Sequence, residues 1–356
     1  MASSHGKQNG ASITNVAALA DVSIATVSRV LSGRRTKDDD IARRVRKAAR
    51  ELNYSANSAA SALRSDVSNT IALSMPATST LMAASVVTAI SEAVSASHMQ
   101  LLVGIDGTAA AQHRRIKEFC RHPADGIIVL PCPHAGVSLT RGITTDTPII
   151  QLLGSTNLLR HDWISIDNGA SIELAVTHVV ERGATSVAYL SDAVGSSDGA
   201  ETLLAFQSSL NMLHVRADSA WITIDNGTVQ RGFADAMRIF GGGTTADIPE
   251  AVICSSSDTA IGVLIALGQL SISVPGQVQV VSLQDNEAAA SSSPALTSMR
   301  APLQQMAAES LRLIANAGVN GSSTESGPRL GRHVMFPRRV IARESTREGV
   351  DVSTDV

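Results

Sequence analysis

In the stretch DVSIATVSRVLSG, Asp21 to Gly33, the run that follows Ser23 carries the hydrogen-bonding side chains of Thr26, Ser28 and Arg29. A guanidinium flanked by hydroxyls can make hydrogen bonds at a base edge or a phosphate. On a 3.6-residue wheel Ile24, Ala25, Ser28 and Arg29 share one side, and Val27, Val30 and Leu31 the other. Such a helix can hold on to its neighbours with one face and enter a major groove with the other. Ile24 and Ala25 lead the outward face without polar side-chain atoms, so they could read mainly thymine methyls and shape. Arg29 can reach a guanine edge or the backbone.

Three helical patterns must position these residues. Val16, Leu19 and Ala20 recur at helical spacing in the first. Ser23 is placed to cap the second. In the third, Ile41, Val45, Ala48, Ala49 and Leu52 form a stripe, and Arg43, Arg44, Arg46, Lys47 and Arg50 lie off it. Asp38, Asp39 and Asp40 stand at its start, where the helix dipole favours negative charge. Two short helices with a third across them follow the helix-turn-helix plan, though a generic three-helix bundle has the same pattern. Charge favours the first reading. Residues 1–66 carry a net +5 and the remainder −8, a basic front end on an acidic body. Arg34, Arg35 and Lys37 lie in the loop beside the candidate reading helix, so steep salt dependence is expected.

The run SITNVAALADVSIATVSRVLSG resembles the DNA-binding headpiece of the lac repressor (LacI/GalR) family of bacterial transcription regulators. The order and spacing of VA, VS and TVSRVL carry the resemblance, and ELNYSAN resembles the family's link into its hinge. Asp21 stands where the family usually has glycine, and aspartate tolerates the left-handed turn better than most residues. Ala56 replaces a usual proline.

Asn57 to Asp66, NSAASALRSD, has no broad apolar stripe, and so short a helix is marginal alone. By itself it reads as a flexible linker. The resemblance implies a hinge that becomes helical on DNA, with Asn57 as cap and Leu63 as an apolar wedge between base pairs.

From Asn69 onward short apolar runs such as NTIALSM, DGIIVL, TSVAYL, AVICS and VQVVSL alternate with helical patterns. This predicts a parallel α/β body, of a length for two lobes with a ligand cleft between them. ADGIIVLP, ISIDNGASIELAVTHVVERG, SSDTAIGVLIALGQLSISVPGQVQVVS and FPRRVIARES resemble successive family segments, so the resemblance covers nearly the whole chain. It implies a two-lobed body like that of periplasmic sugar-binding proteins, which dimerises and holds a small effector. The expected organisation is a disordered tail (1–11), headpiece (12–56), hinge (57–68), body (69–345) and polar tail (346–356). The short tail favours a homodimer over a tetramer.

The effector positions that the resemblance implies are Met82, Asp167, Thr202, Ser257, Asp258 and Gln284. Thr202 stands where the family commonly has arginine, Ser257 where it has asparagine and Gln284 where it has aspartate; Met82 and Ala83 replace the usual aromatics. Sugars are gripped by convergent hydrogen bonds around an aromatic platform. A typical free sugar is therefore not expected: either a less polar ligand binds, or the pocket has lost its ligand.

Other chemistry finds little support. With 44% apolar but only 3% aromatic residues, Ala, Val, Ile and Leu must fill the core. No apolar run reaches the roughly 18–20 residues of a membrane span, and no secretory signal is visible, so a cytoplasmic chain is expected. Cys120, Cys132 and Cys254 are far apart, and His113, Cys120 and His122 lack zinc-type spacing. Gly241–Gly243 reads as a helix end, and the serine runs at 255–257 and 291–293 as strand-end loops. Neither a cofactor nor a metal is expected. Two readings remain: a DNA-binding regulator, most simply a repressor on a near-palindromic duplex operator, or a small-molecule-binding protein or enzyme on the same body. A gel shift discriminates them.

Overall fold

The computed structural model describes residues 12–31, 35, 39–52, 54, 68–77, 81–132, 139–140, 142–153, 162–191, 197–242, 248–320 and 331–349. The chain divides into two compact units, Met1–Ser68 and Asn69–Val356.

The first unit holds helices α1 (Ile13–Ala20), α2 (Ile24–Leu31) and α3 (Asp40–Glu51). Ser12 caps α1, its hydroxyl accepting from the Asn15 N–H at 3.2 Å. Asp21 ends that helix at φ 51°, ψ 55°, the left-handed conformation expected of the turn. Between α1 and α2 the chain turns through 102°, within the range of a helix-turn-helix. Val16, Ala20, Val27, Val30, Val45, Ala48 and Ala49 form the shared core. Two expectations fail in detail: Leu19 is 52% exposed, and Ala42 rather than Ile41 is fully buried on α3. Short helices crossing at a steep angle cover only part of each apolar stripe.

The second unit contains two six-stranded sheets. In chain order its elements are β1 (Thr70–Pro76), α4 (Leu81–Ala96), β2 (Gln100–Asp106), α5 (Ala109–Phe119), β3 (Gly126–Val129), β4 (Ile149–Leu152), β5 (Asp162–Ile166), α6 (Asn168–Val180), β6 (Val187–Ser191) and α7 (Ser197–Leu213). There follow β7 (Ile222–Ile224), α8 (Val229–Phe240), β8 (Ala251–Cys254), α9 (Ser257–Gln269), β9 (Gln279–Ser282), α10 (Glu287–Ala290), β10 (Thr297–Arg300), α11 (Leu303–Asn320), β11 (His333–Phe336) and β12 (Arg339–Ile341). The first sheet runs β11-β5-β4-β3-β1-β2 and the second β12-β10-β9-β8-β6-β7. Among the described residues every strand pairing is parallel except β10 with β12.

The lobes are not sequential halves. After β5 the chain enters the second lobe, where Ile172, Ala175, Val176 and Val179 of α6 join the core with Val187 and Tyr189. After β10 it returns: Met306, Ala307, Leu313 and Ile314 of α11 pack in the first-lobe core with Ile71, Leu73 and Ile90. After β11 it crosses a third time to β12. The stripe Met306, Ala307, Ser310, Leu313, Ile314 was visible in the sequence as an i, i+4, i+7 pattern, but the sequence reading assigned no helix there. The close of the chain also differs. Thr346 is 5% exposed, and Arg347 donates to the Pro275 and Gly276 carbonyls, so the segment expected as a polar tail from 346 begins packed against the second lobe.

Candidate nucleic-acid interface and effector site

The outward edge of α2 is as expected. Ile24, Ala25, Ser28 and Arg29 are exposed, while Val27 and Val30 are buried. Ser23 caps the helix through the Thr26 N–H at 3.2 Å, and its hydroxyl lies 2.9 Å from that of Thr26. Thr26 is half-buried and thus partly committed to the cap. The helix offers one guanidinium and one exposed hydroxyl on an otherwise apolar edge. Asn57 and Leu63 lie outside the described residues, as do Arg34 and Lys37.

Arg35, in the basic loop beside α2, has a partner within the chain. Its guanidinium Nη2 donates to Asp39 Oδ2 at 2.5 Å, and that hydrogen bond holds the Asp39 carboxyl below its usual range, helped by the Ala42 N–H. Asp39 is the N-cap of α3, its Oδ1 accepting from Ala42 at 3.0 Å.

The six effector candidates all lie after the carboxyl ends of strands, where parallel sheets bind ligands. In the first lobe Met82 follows β1, in the first turn of α4, partly buried against the core. Asp167 follows β5 and caps α6, Oδ1 accepting from the Ala170 N–H at 2.8 Å. In the second lobe Thr202 is buried on α7, following β6. After β8 Ser256 caps α9; Ser257 is 1% exposed and donates to the Gln284 carbonyl at 2.8 Å. Asp258 is exposed in the first turn of α9. Gln284, half-buried, follows β9.

Ser257 therefore fastens the loops after β8 and β9 together with its only hydroxyl proton. Sequence reasoning did not assign a role to Asp285, the next residue. Its carboxylate accepts from Arg300 Nε at 2.6 Å and Arg343 Nη2 at 2.8 Å. Burial alone would push this carboxyl up, but the bonds from Arg343 and Arg300 outweigh it and hold it low. Both arginines are thereby occupied, so neither offers an uncommitted cation at this strand end. The signal was present in FPRRVIARES, but the pairing spans 58 positions.

His113 Nδ1 bonds the Leu139 carbonyl at 2.7 Å, and no group of three metal-ligating side chains occurs among the described residues. Gly241 is the C-cap of α8.

Comparison with known proteins agrees with this geometry. Residues 12–57 match the family model for bacterial regulatory proteins of the lacI family, and residues 176–346 that for a periplasmic binding protein-like domain. The chain is 27% identical over 308 residues to the transcriptional regulator GalR of Salmonella typhimurium, covering 85% of this chain and 88% of that one. It is 23% identical to the ribose operon repressor of Haemophilus influenzae, over 85% and 91% of the two chains. Among solved structures, the lac repressor dimer bound to operator and an anti-inducer superposes with a TM-score of 0.78 at 19% identity, covering 96% of this chain and all of that one, 100%.

Proposed function

The chain belongs to the lacI family of bacterial regulatory proteins and is a DNA-binding transcription regulator rather than an enzyme; we propose that it represses transcription from the cytoplasm, as a homodimer seated on a near-palindromic operator. One observation carries this: an eight-residue helix, set at 102° to its predecessor, buries two valines and turns Ile24, Ala25, Ser28 and Arg29 outward. A gel shift with the chain's own upstream region tests it. Folded protein should retard that duplex at low salt and release it as salt rises; no retardation at low salt overturns the reading.

Within this reading Arg29 contacts a guanine. Arg29→Ala should cost about 1–3 kcal/mol and relax specificity at one base position. Equal weakening on every sequence would make it a phosphate contact. Thr26 supports the helix start, Asn57 caps the hinge and Leu63 wedges into the minor groove; Leu63→Ala should reduce the operator bend.

No single helix among the described residues is long and apolar enough to cross a membrane. The dimer forms through the outer edge of β2, the last strand of its sheet, where Leu102, Val103 and Ile105 are exposed. A bare apolar edge of this kind is ordinarily covered, and a relative of the same fold is a dimer.

Met82, Asp167, Thr202, Ser257, Asp258 and Gln284 mark the effector site. The carboxylates stand at helix starts, and Arg300 and Arg343 are bound to Asp285. An uncharged, compact ligand suits this set better than an anion. Thermal-shift measurement against neutral sugars, nucleosides and their phosphates tests this; stabilisation only by the phosphates overturns it.

A further inference from the structure

The residue between the reading helix and α3 does something that its position in a basic loop hides. The Arg35 N–H donates to the Arg29 carbonyl at 3.0 Å, closing the end of α2. Its guanidinium grips Asp39, and Asp39 caps α3. A single residue thus satisfies a carbonyl in the last turn of one helix and clamps the N-cap of the next. Carbonyls at a helix end otherwise lack partners, and α2 has only Val27 and Val30 fully buried to fix its orientation.

We propose that Arg35 is a positioning residue for DNA reading: through Asp39 it sets the end of α2 against α3 and so aims Arg29, and it does not itself bind phosphate. The physical reason is charge. Arg35 and Asp39 together carry no net charge, so docking the pair beside DNA displaces little of the counterion atmosphere. A phosphate would have to take the guanidinium from a carboxylate already at hydrogen-bond distance. A reading side chain is useful only when held within a narrow range of positions by the residues behind it.

The test uses the full chain, a near-palindromic duplex selected from a random pool by the wild-type protein, and a random duplex of equal length. Asp39→Asn keeps an oxygen to cap α3, since asparagine caps as well as aspartate, but removes the charge. Arg35→Gln removes the guanidinium. Both are expected to weaken selected-duplex binding about fivefold or more while moving random-duplex binding much less, and the double variant should be no worse than either single, as for two residues acting as one unit. The slope of log affinity against log salt should stay unchanged in the double variant, where, as in the parent chain, the pair carries no net charge. A slope reduced by about 0.9 in the double variant, with random-duplex binding weakened as much as selected-duplex binding, would make Arg35 a phosphate contact and overturn the proposal. An unchanged ratio of selected to random affinity in both variants would also overturn it. If Arg35→Gln melts the first unit, the cap-preserving Asp39→Asn carries the decision alone.

Discussion

Arg338 Nη1 donates to Asn168 Oδ1 at 2.8 Å across 170 positions of sequence. The same nitrogen reaches Ser171 Oγ at 3.2 Å, and Ser171 Oγ donates to the Asp167 carbonyl at 2.5 Å. The Asp167 N–H in turn donates to the Phe336 carbonyl at 3.0 Å. The first and third crossings between the lobes are thus tied to each other, beside a candidate effector residue. Arg338→Leu should lower unfolding free energy by about 1–3 kcal/mol, because it leaves the buried Ser171 hydroxyl and the half-buried Asn168 oxygen without their donor. Arg338→Lys should recover part of this, and urea midpoints measure both.

Helices α8 and α9 pack through a reciprocal pair of glycines. A Cβ on Gly232 would lie 2.1 Å from the Thr259 carbonyl oxygen, and one on Gly262 would lie 2.1 Å from that of Val229. Backbone cannot yield as a side-chain tip can. Gly262→Ala should therefore destabilise by roughly 1–3 kcal/mol. Gly268, on the same helix, has open space at its Cβ position; Gly268→Ala should be neutral or stabilising by up to about 1 kcal/mol. Calorimetric melting of the two variants should separate them in opposite directions.

His178 makes the second lobe sensitive to acid. Burial, with the Arg182 charge adding to it, pushes the imidazole down to about 4. Its Nε2 lies 3.0 Å from Thr346 Oγ1, in the segment that closes the chain. An unfolded histidine titrates near 6.5. Between about pH 6.5 and 4 the unfolded chain binds the extra proton, so stability falls on acidification and is restored above about 6.5. The slope should approach about 1.4 kcal/mol per pH unit from this group. His178→Gln should flatten stability across that window in urea titrations; an unaltered slope would place the acid sensitivity elsewhere.

Ile105 is 59% exposed on the outer strand β2. If a second copy covers that edge, a buried, unpaired carboxylate there costs several kcal/mol. Ile105→Asp should yield monomers in sedimentation at concentrations where the parent chain is dimeric. Ile224, also exposed, ends the outer strand of the other sheet, and Ile224→Asp provides the comparison.

The headpiece was largely legible because its signals are local. Ser23 and Asp39 cap helices three residues ahead, and Asp21 needs only its own φ and ψ. The inward valines and outward serine and arginine of α2 follow from the 3.6-residue period. Leu19 was misjudged because exposure depends on how far a neighbouring helix extends. In the body, most strands up to β9 are apolar runs that a buried parallel sheet requires. β10, β11 and β12 were not: HVMF and RVI are short, and both end strands are half exposed.

The effector positions come from the resemblance, and in the structure each of them follows a strand. Their partners were not readable. Ser257 bonds a carbonyl 27 residues away, and Asp285 is held by arginines 15 and 58 residues away. From the string of residues alone come the three headpiece helices with the Ser23 cap, the outward face of α2, the strand-helix alternation as far as β9 and the basic front end, all set by periodicity and charge within one element or a few neighbouring ones. Folding adds the assignment of α6 and α11 to opposite lobes, the Arg338 tie between crossings, the glycine contact of α8 with α9, and the commitment of Arg35 to Asp39. Those depend on which surfaces meet, and shape and burial between distant segments leave no period in the sequence to read.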